Sequence, residues 1–206
     1  MQQLLLELAP LPEPTLENYV AGRNGVALHA LREIARGSAT ERFIYLWGGP
    51  GSGRTHLLRG LKQAAGGLAV VADDVQALST QDQIALFDEY NRVRAVGGAL
   101  VASGNATPAQ LALREDLRSR LAWGLAFQLH PLSDDEKAAA LRAHARSRSF
   151  DLSEDIVVYL LRHARRDMAS LIGILDALDR HSLEHKRPVT LPLVREALDS
   201  MPDKLA

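Results

Sequence analysis

Short apolar runs alternate with amphipathic stretches as far as residue 131, and only amphipathic stretches follow. Residues 26–36 repeat apolar positions at helical spacing. Phe43-Ile44-Tyr45-Leu46-Trp47 is a β-prone run bounded by polar residues, and a helical pattern continues from it to Ala65. Gly66-Gly67 ends that helix, and Leu68–Ala72 reads as a short buried strand. Thr80–Val96 is a predicted helix with Ile84, Phe87 and Tyr90 close to one face. Gly97-Gly98 breaks it. Strand Ala99–Ala102, a polar tip Ser103-Gly104-Asn105, helix Leu113–Leu121 and strand Leu125–Leu129 complete this part. Strands alternating with helices predict a parallel sheet with crossover helices. Beyond Pro131, Ser133-Asp134-Asp135-Glu136 has the form of a capping box opening a helix to about Arg148. Further helices are expected from Ser153, over Asp167–Glu184, and from Thr190 to near Met201. The expected organisation is an apolar peptide at 1–8, a linker at 9–16 carrying Pro10, Pro12 and Pro14, an α/β domain at 17–131 and a helical domain at 132–206.

Composition narrows the function classes. The 206 residues are 47% hydrophobic, as in an ordinary soluble globular protein, and carry a formal net charge of −1. No general nucleic-acid coat has that balance. There is no cysteine, which excludes disulfides and thiolate metal sites. No apolar run is long enough to span a bilayer, and Met1–Leu8 lacks the basic start and long apolar stretch of a signal peptide.

The strongest chemical signal follows the first strand. Gly48-Gly49-Pro50-Gly51-Ser52-Gly53-Arg54-Thr55, running on into His56, has the strand–loop–helix setting of a phosphate-binding loop. Its glycines let backbone N–H groups face an anion, and the helix N-terminus adds its positive end. Thr55 stands where a hydroxyl binds Mg²⁺. Arg54 stands where lysine is usual, and a planar fork does not substitute neutrally for a compact ammonium. Nucleotide binding is therefore expected, and efficient hydrolysis by this chain alone is not. The same residues also describe a glycine-rich turn that binds nothing. Val70-Val71-Ala72-Asp73-Asp74 has the form of a strand whose acids hold Mg²⁺ (Asp73) and orient water (Asp74), although strands commonly end in Asp without function. Arg120 and Arg166 are candidates for γ-phosphate contacts, among many arginines that are merely solvated or paired. His181-Ser182-Leu183-Glu184-His185 fits H-x-x-E-H, but it closes a charged helix whose dipole itself favours histidines, and zinc chemistry is rejected. Gln3-Leu4-Leu5-Leu6-Glu7-Leu8 either docks in a partner's hydrophobic pocket or packs on its own domain.

Taken together, the glycine-rich loop, Asp73-Asp74, the polar tip, Arg120 and a helical lid carrying Arg166 resemble the AAA+ module of the DnaA-related family. Gly-Ser-Gly-Arg-Thr and the lid opening Pro131–Lys137 resemble its Hda group of DnaA regulators most closely, as does a chain that stops after the lid without a helix-turn-helix domain. The resemblance implies an AAA+ P-loop fold with a C-terminal helical lid, binding ADP or ATP with Mg²⁺ in the cytoplasm. It implies that Leu16–Asn24, with Tyr19, Val20 and Asn24, cups the adenine. It assigns Asn105 to sensor 1, with Ser103 a competing choice, Arg120 to the arginine finger and Arg166 to sensor 2. Gln3, Leu4, Leu6 and Leu8 resemble a clamp-binding peptide, with Glu7 where the family usually has proline. The implied partners are DnaA and the DNA polymerase III β sliding clamp, with homo-oligomerisation possible in principle and no sequence-specific DNA contact.

One departure alters the expected sheet. Only a helix and Gly66-Gly67 separate Thr55 from the strand ending at Asp73, where AAA+ modules place another strand and helix. In the order 5-1-4-3-2 the missing strand is outermost. A four-stranded sheet is expected, with Leu68–Ala72 as a new edge. An autonomous ATPase of the loader or remodeller type and a nucleotide-free scaffold remain as alternative functions.

Overall fold

The run Phe43–Trp47 forms β1, an inner strand of a four-stranded parallel sheet, in a computed structural model that describes residues 13–165, 167–185 and 188–200. Gln3, Leu4, Leu6 and Leu8, the first part of the proline-rich stretch, and Arg166 lie outside the described residues. The other strands are β2 (Ala69–Ala72), β3 (Ala99–Gly104) and β4 (Leu125–Gln128), in the order β2-β3-β1-β4. This is the four-stranded order expected from deletion of the outermost strand, and β2 is the edge it leaves.

Period-two alternation sorts the strand residues between two layers. Ile44 and Leu46 of β1, Ala99 and Val101 of β3, and Val71 of β2 pack with α1 (Gly25–Ala35) and α2 (Arg54–Ala65). Tyr45, Leu100, Ala102 and Val70 face the opposite layer, with α3 (Thr80–Ala95) and α4 (Glu115–Leu121). Leu31, Leu46, Leu57 and Leu61 are fully enclosed in the first layer. Burial of each contributes about 1.5–3 kcal/mol.

Two local expectations are corrected. The linker was expected to run through residue 16, but Leu16 is only 1% exposed and belongs to the first core. Its carbonyl accepts from Arg32 Nη2 at 3.0 Å. The chain crosses α2 at Gly60, where a Cβ would lie 2.7 Å from the Thr15 carbonyl carbon. On α3, Tyr90 is buried and Phe87 partly so, but Ile84 is 41% exposed. The buried stripe is Gln83, Leu86, Tyr90 and Val93. Gln83 is tolerated inside because its amide donates to the Leu78 carbonyl (3.1 Å) and accepts the Arg114 N–H (2.9 Å).

The chain divides into two compact units, with Pro131 in one and Leu132 in the other. The second contains α5 (Asp134–Ser147), α6 (Glu154–His163), α7 (Met168–His185) and α8 (Leu191–Ser200). Leu141, Ile156, Leu160, Leu171, Ile174, Leu175, Leu178 and Val194 form its core. Ser133 and Glu136 form the capping box of α5. Asp167 caps the first turn of α7, accepting the Ser170 N–H at 2.9 Å. Among the described residues no helix is long and apolar enough to cross a membrane.

Candidate functional site

The phosphate loop springs from the end of β1, flanked on either side by the ends of β3 and β4. The Gly48 N–H donates to the Gly104 carbonyl (3.3 Å), and the Leu129 N–H to the Trp47 carbonyl (2.7 Å). Gly51 and Gly53 have φ of 74° and 89°, a conformation that side chains rarely adopt. A Cβ on Gly53 would lie 2.7 Å from Tyr19 Cε2, so the tyrosine ring rests directly on the loop. At Gly48 a Cβ would collide with the Leu129 carbonyl and with Ser52. Pro50 and Gly49 complete the turn, closed by the Ser52 N–H donating to the Gly49 carbonyl (3.3 Å). The helix α2 then opens at Arg54 and Thr55. Its first N–H groups lack intrahelical acceptors, as at any helix start, and provide an anion-binding end.

Two acids complete the site. Asp73 follows β2, and its Oδ1 accepts from the Ser103 hydroxyl and the Asp74 N–H (3.0 Å). Asp74 adopts φ 49°, ψ 52°, the left-handed region in which Asp and Asn are the commonest non-glycine residues. Its Oδ1 accepts from Gln76 Nε2 at 3.0 Å and lies 2.9 Å from Arg54 Nη1. That second contact is Coulombic without the alignment of a hydrogen bond. Arg54 Nη1 and Ser52 Oγ are the two buried side-chain polar atoms lacking a hydrogen-bond partner among the described residues. Both belong to the phosphate loop. A buried donor left unpaired costs about 1–3 kcal/mol, and a polyanion seated on the loop would satisfy both. The residues therefore fit a nucleotide's phosphates. Thr55 and Asp73 would hold the accompanying Mg²⁺, whose charge screens the phosphate oxygens.

Ser103 is fully buried and bonded to Asp73, and it also accepts the Asp74 N–H at 3.2 Å. Asn105 is exposed, and its backbone N–H donates to Gln76 Oε1 at 3.1 Å. Of the two candidates for sensor 1, the geometry brings Ser103 to the acids. Sequence reasoning missed Gln76, which no motif marks, and Tyr45, which lies beneath the acids. Burial pushes the Tyr45 hydroxyl up to about 12, and it donates to the Ala106 carbonyl at 2.9 Å.

The residues expected to cup the adenine lie beside the loop. The Tyr19 hydroxyl donates to the Ser52 carbonyl (3.3 Å) and accepts from Asn24 Nδ2 (3.0 Å). Burial raises its pKa, with Asn24 opposing. Asn24 is buried and exchanges two 2.8 Å bonds with the His130 backbone. It thus staples the segment before α1 to the end of the α/β unit. Tyr19 and His56 lie with ring centroids 5.3 Å apart, and Val20 is half-buried next to Tyr19 in the chain. His56 Nε2 faces two acceptors, the Thr15 carbonyl (3.0 Å) and Asn18 Oδ1 (2.9 Å), so it carries the proton and Nδ1 keeps its lone pair. The Asn18 orientation that fixes this tautomer is set by the Thr15 N–H donating to Oδ1 (2.9 Å) and Nδ2 donating to the Glu13 carbonyl (2.9 Å).

Arg120 is elsewhere. It closes α4 just before β4 and so lies at the N-terminal end of the strands, whereas the phosphate loop lies at their C-terminal end. The separation is about a strand's length, roughly 15 Å. Its guanidinium sits over Trp123 (4.8 Å), Phe87 and Tyr90 (both 5.9 Å), and Arg94 covers the same indole at 4.9 Å. Trp123 remains 63% exposed.

A family model for the Hda lid domain matches residues 134–198. An uncharacterized protein of Haemophilus influenzae is 32% identical over 96% of this chain and 99% of its own length. Domain III of the Thermotoga maritima replication initiation protein DnaA superposes with a TM-score of 0.70 at 22% identity, covering 93% of this chain and 98% of that one. AMPPCP-bound DnaA from Aquifex aeolicus gives 0.66 at 19% identity, over 87% of this chain and 71% of that one. The fold is thus that of DnaA domain III, an AAA+ module, and residues 134–198 belong to the Hda lid-domain family.

Proposed function

We propose that this chain is a nucleotide-binding regulator of a DnaA-type initiator. It holds ADP or ATP with Mg²⁺ on the Gly48–His56 loop, with Arg166 of the lid as sensor 2. It docks on the DNA polymerase III β sliding clamp through Gln3, Leu4, Leu6 and Leu8. Arg120 acts on ATP carried by DnaA, stimulating its hydrolysis and so restraining re-initiation. The supporting observation is the place of Arg120 at the end of the strands remote from its own phosphate loop. From there it serves a neighbour's nucleotide, where a guanidinium stabilises charge developing in the transition state. Within the chain's own site, Asp74 is engaged by Arg54 and Gln76, which disfavours autonomous turnover.

The test is hydrolysis of DnaA-bound ATP in the presence of DNA-loaded clamp, with the parent chain and Arg120→Ala in parallel. Acceleration by the parent, lost in Arg120→Ala with its own nucleotide binding retained, is the expected result. Loss of nucleotide binding in Arg120→Ala would assign the residue to the chain's own site. Appreciable turnover by the purified chain without DnaA would favour the autonomous ATPase, which the Thr55, Asp73 and Asp74 set still permits.

A further inference from the structure

Arg54 departs from the usual phosphate loop, and it touches Asp74. The Arg54 side chain is only 13% exposed, yet its Nη1 is held by proximity to Asp74 Oδ1 and by no aligned hydrogen bond. Asp74 is fixed more firmly. Its backbone N–H is bonded to Asp73 and Ser103, and its Oδ1 to Gln76. Of the two partners the arginine has fewer fixed contacts, on a long side chain rooted in the first turn of α2. A guanidinium gains more from a phosphate, which accepts two parallel N–H bonds, than from one misaligned carboxylate contact.

We propose that Arg54 has two positions, paired with Asp74 in the free chain and turned to the phosphates when a nucleotide binds. Asp74 then competes with the nucleotide for Arg54 and holds its affinity down. This rests on the nucleotide-binding reading above and adds a specific role to an acid otherwise assigned to orienting water. A residue that only orients water leaves ground-state affinity unchanged when neutralised, and a metal ligand weakens it. A competitor for Arg54 strengthens it.

Asp74→Asn isolates the charge. Asparagine tolerates the left-handed backbone as aspartate does, and its carbonyl oxygen keeps the Gln76 bond. Affinity for ADP would be measured by calorimetry in EDTA, which removes any part played by Mg²⁺, for the parent, Asp74→Asn, Arg54→Ala and the double variant. Thermal melting of the nucleotide-free chains would verify that each is folded. The expected result is about three- to fivefold tighter ADP binding by Asp74→Asn, the scale of one partly exposed ion pair. Binding by Arg54→Ala should be weaker, with no further change on adding Asp74→Asn. Unchanged or weaker binding by Asp74→Asn would overturn the proposal. So would equal tightening in the Arg54→Ala background, which would mean simple repulsion between Asp74 and the phosphates. Failure of the parent and all variants to bind ADP, in EDTA and with Mg²⁺ alike, would overturn the nucleotide reading together with this one.

Discussion

His56 shows how much a single side chain can report. Burial lowers its pKa below the ordinary 6.5, with the Thr15 carbonyl opposing. The unfolded chain therefore takes up the proton first as the solution is acidified. Stability from this group is complete above about pH 6.5 and is lost as pH falls below it. Melting temperature should accordingly decline from pH 7.5 to 5.5, and His56→Gln should flatten the decline. The lowered pKa values of Glu33, Glu89 and Asp116 act in the carboxylate range below this window. At Gly53 the constraint is steric. Gly53→Ala adds a methyl group against Tyr19 at a φ of 89°. Thermal shift with ADP should be abolished and the free chain destabilised by roughly 1–3 kcal/mol. Residues of this kind differ in legibility. The glycines, Arg54, Thr55 and the two acids lie in patterns whose spacing is dictated by phosphate geometry. Gln76 and Tyr45 reach the same site through tertiary contacts that leave no local pattern.

The elements were easier to read than the residues on them, because periodicity is a property of many positions at once. Among the described residues, the four strands and eight α-helices lie where alternation and helical spacing put them, displaced by a residue or two at their ends. The segment before α1 was misread because prolines and a polar turn over Thr15–Asn18 conceal one buried leucine. Leu16 ties that segment to α1 and α2, and its removal leaves a cavity in the core against which Tyr19 packs. Leu16→Ala should cost about 2–5 kcal/mol in denaturant melts, and should weaken nucleotide binding by displacing Tyr19. Ser133→Ala tests the other unit. Loss of the capping box at α5 should cost about 1 kcal/mol, read as a lowered melting temperature with ADP affinity unchanged.

For the molecule as a whole, the topology was legible from a distance along the chain. Too few residues separate Thr55 from Asp73 for a further strand and helix, and the order β2-β3-β1-β4 follows. The consequence lies in the two halves of the site. Its glycine half hangs on β1, hydrogen-bonded on both sides by β3 and β4. Its acidic half hangs on β2, paired only with β3 among the described residues. Local opening is easiest at a strand held from one side, so the amides of Val70–Ala72 should exchange with deuterium faster than those of Ile44–Leu46. A bound nucleotide spanning both halves should slow exchange at β2 more than at β1, making the sheet's margin the part whose persistence depends most on the ligand.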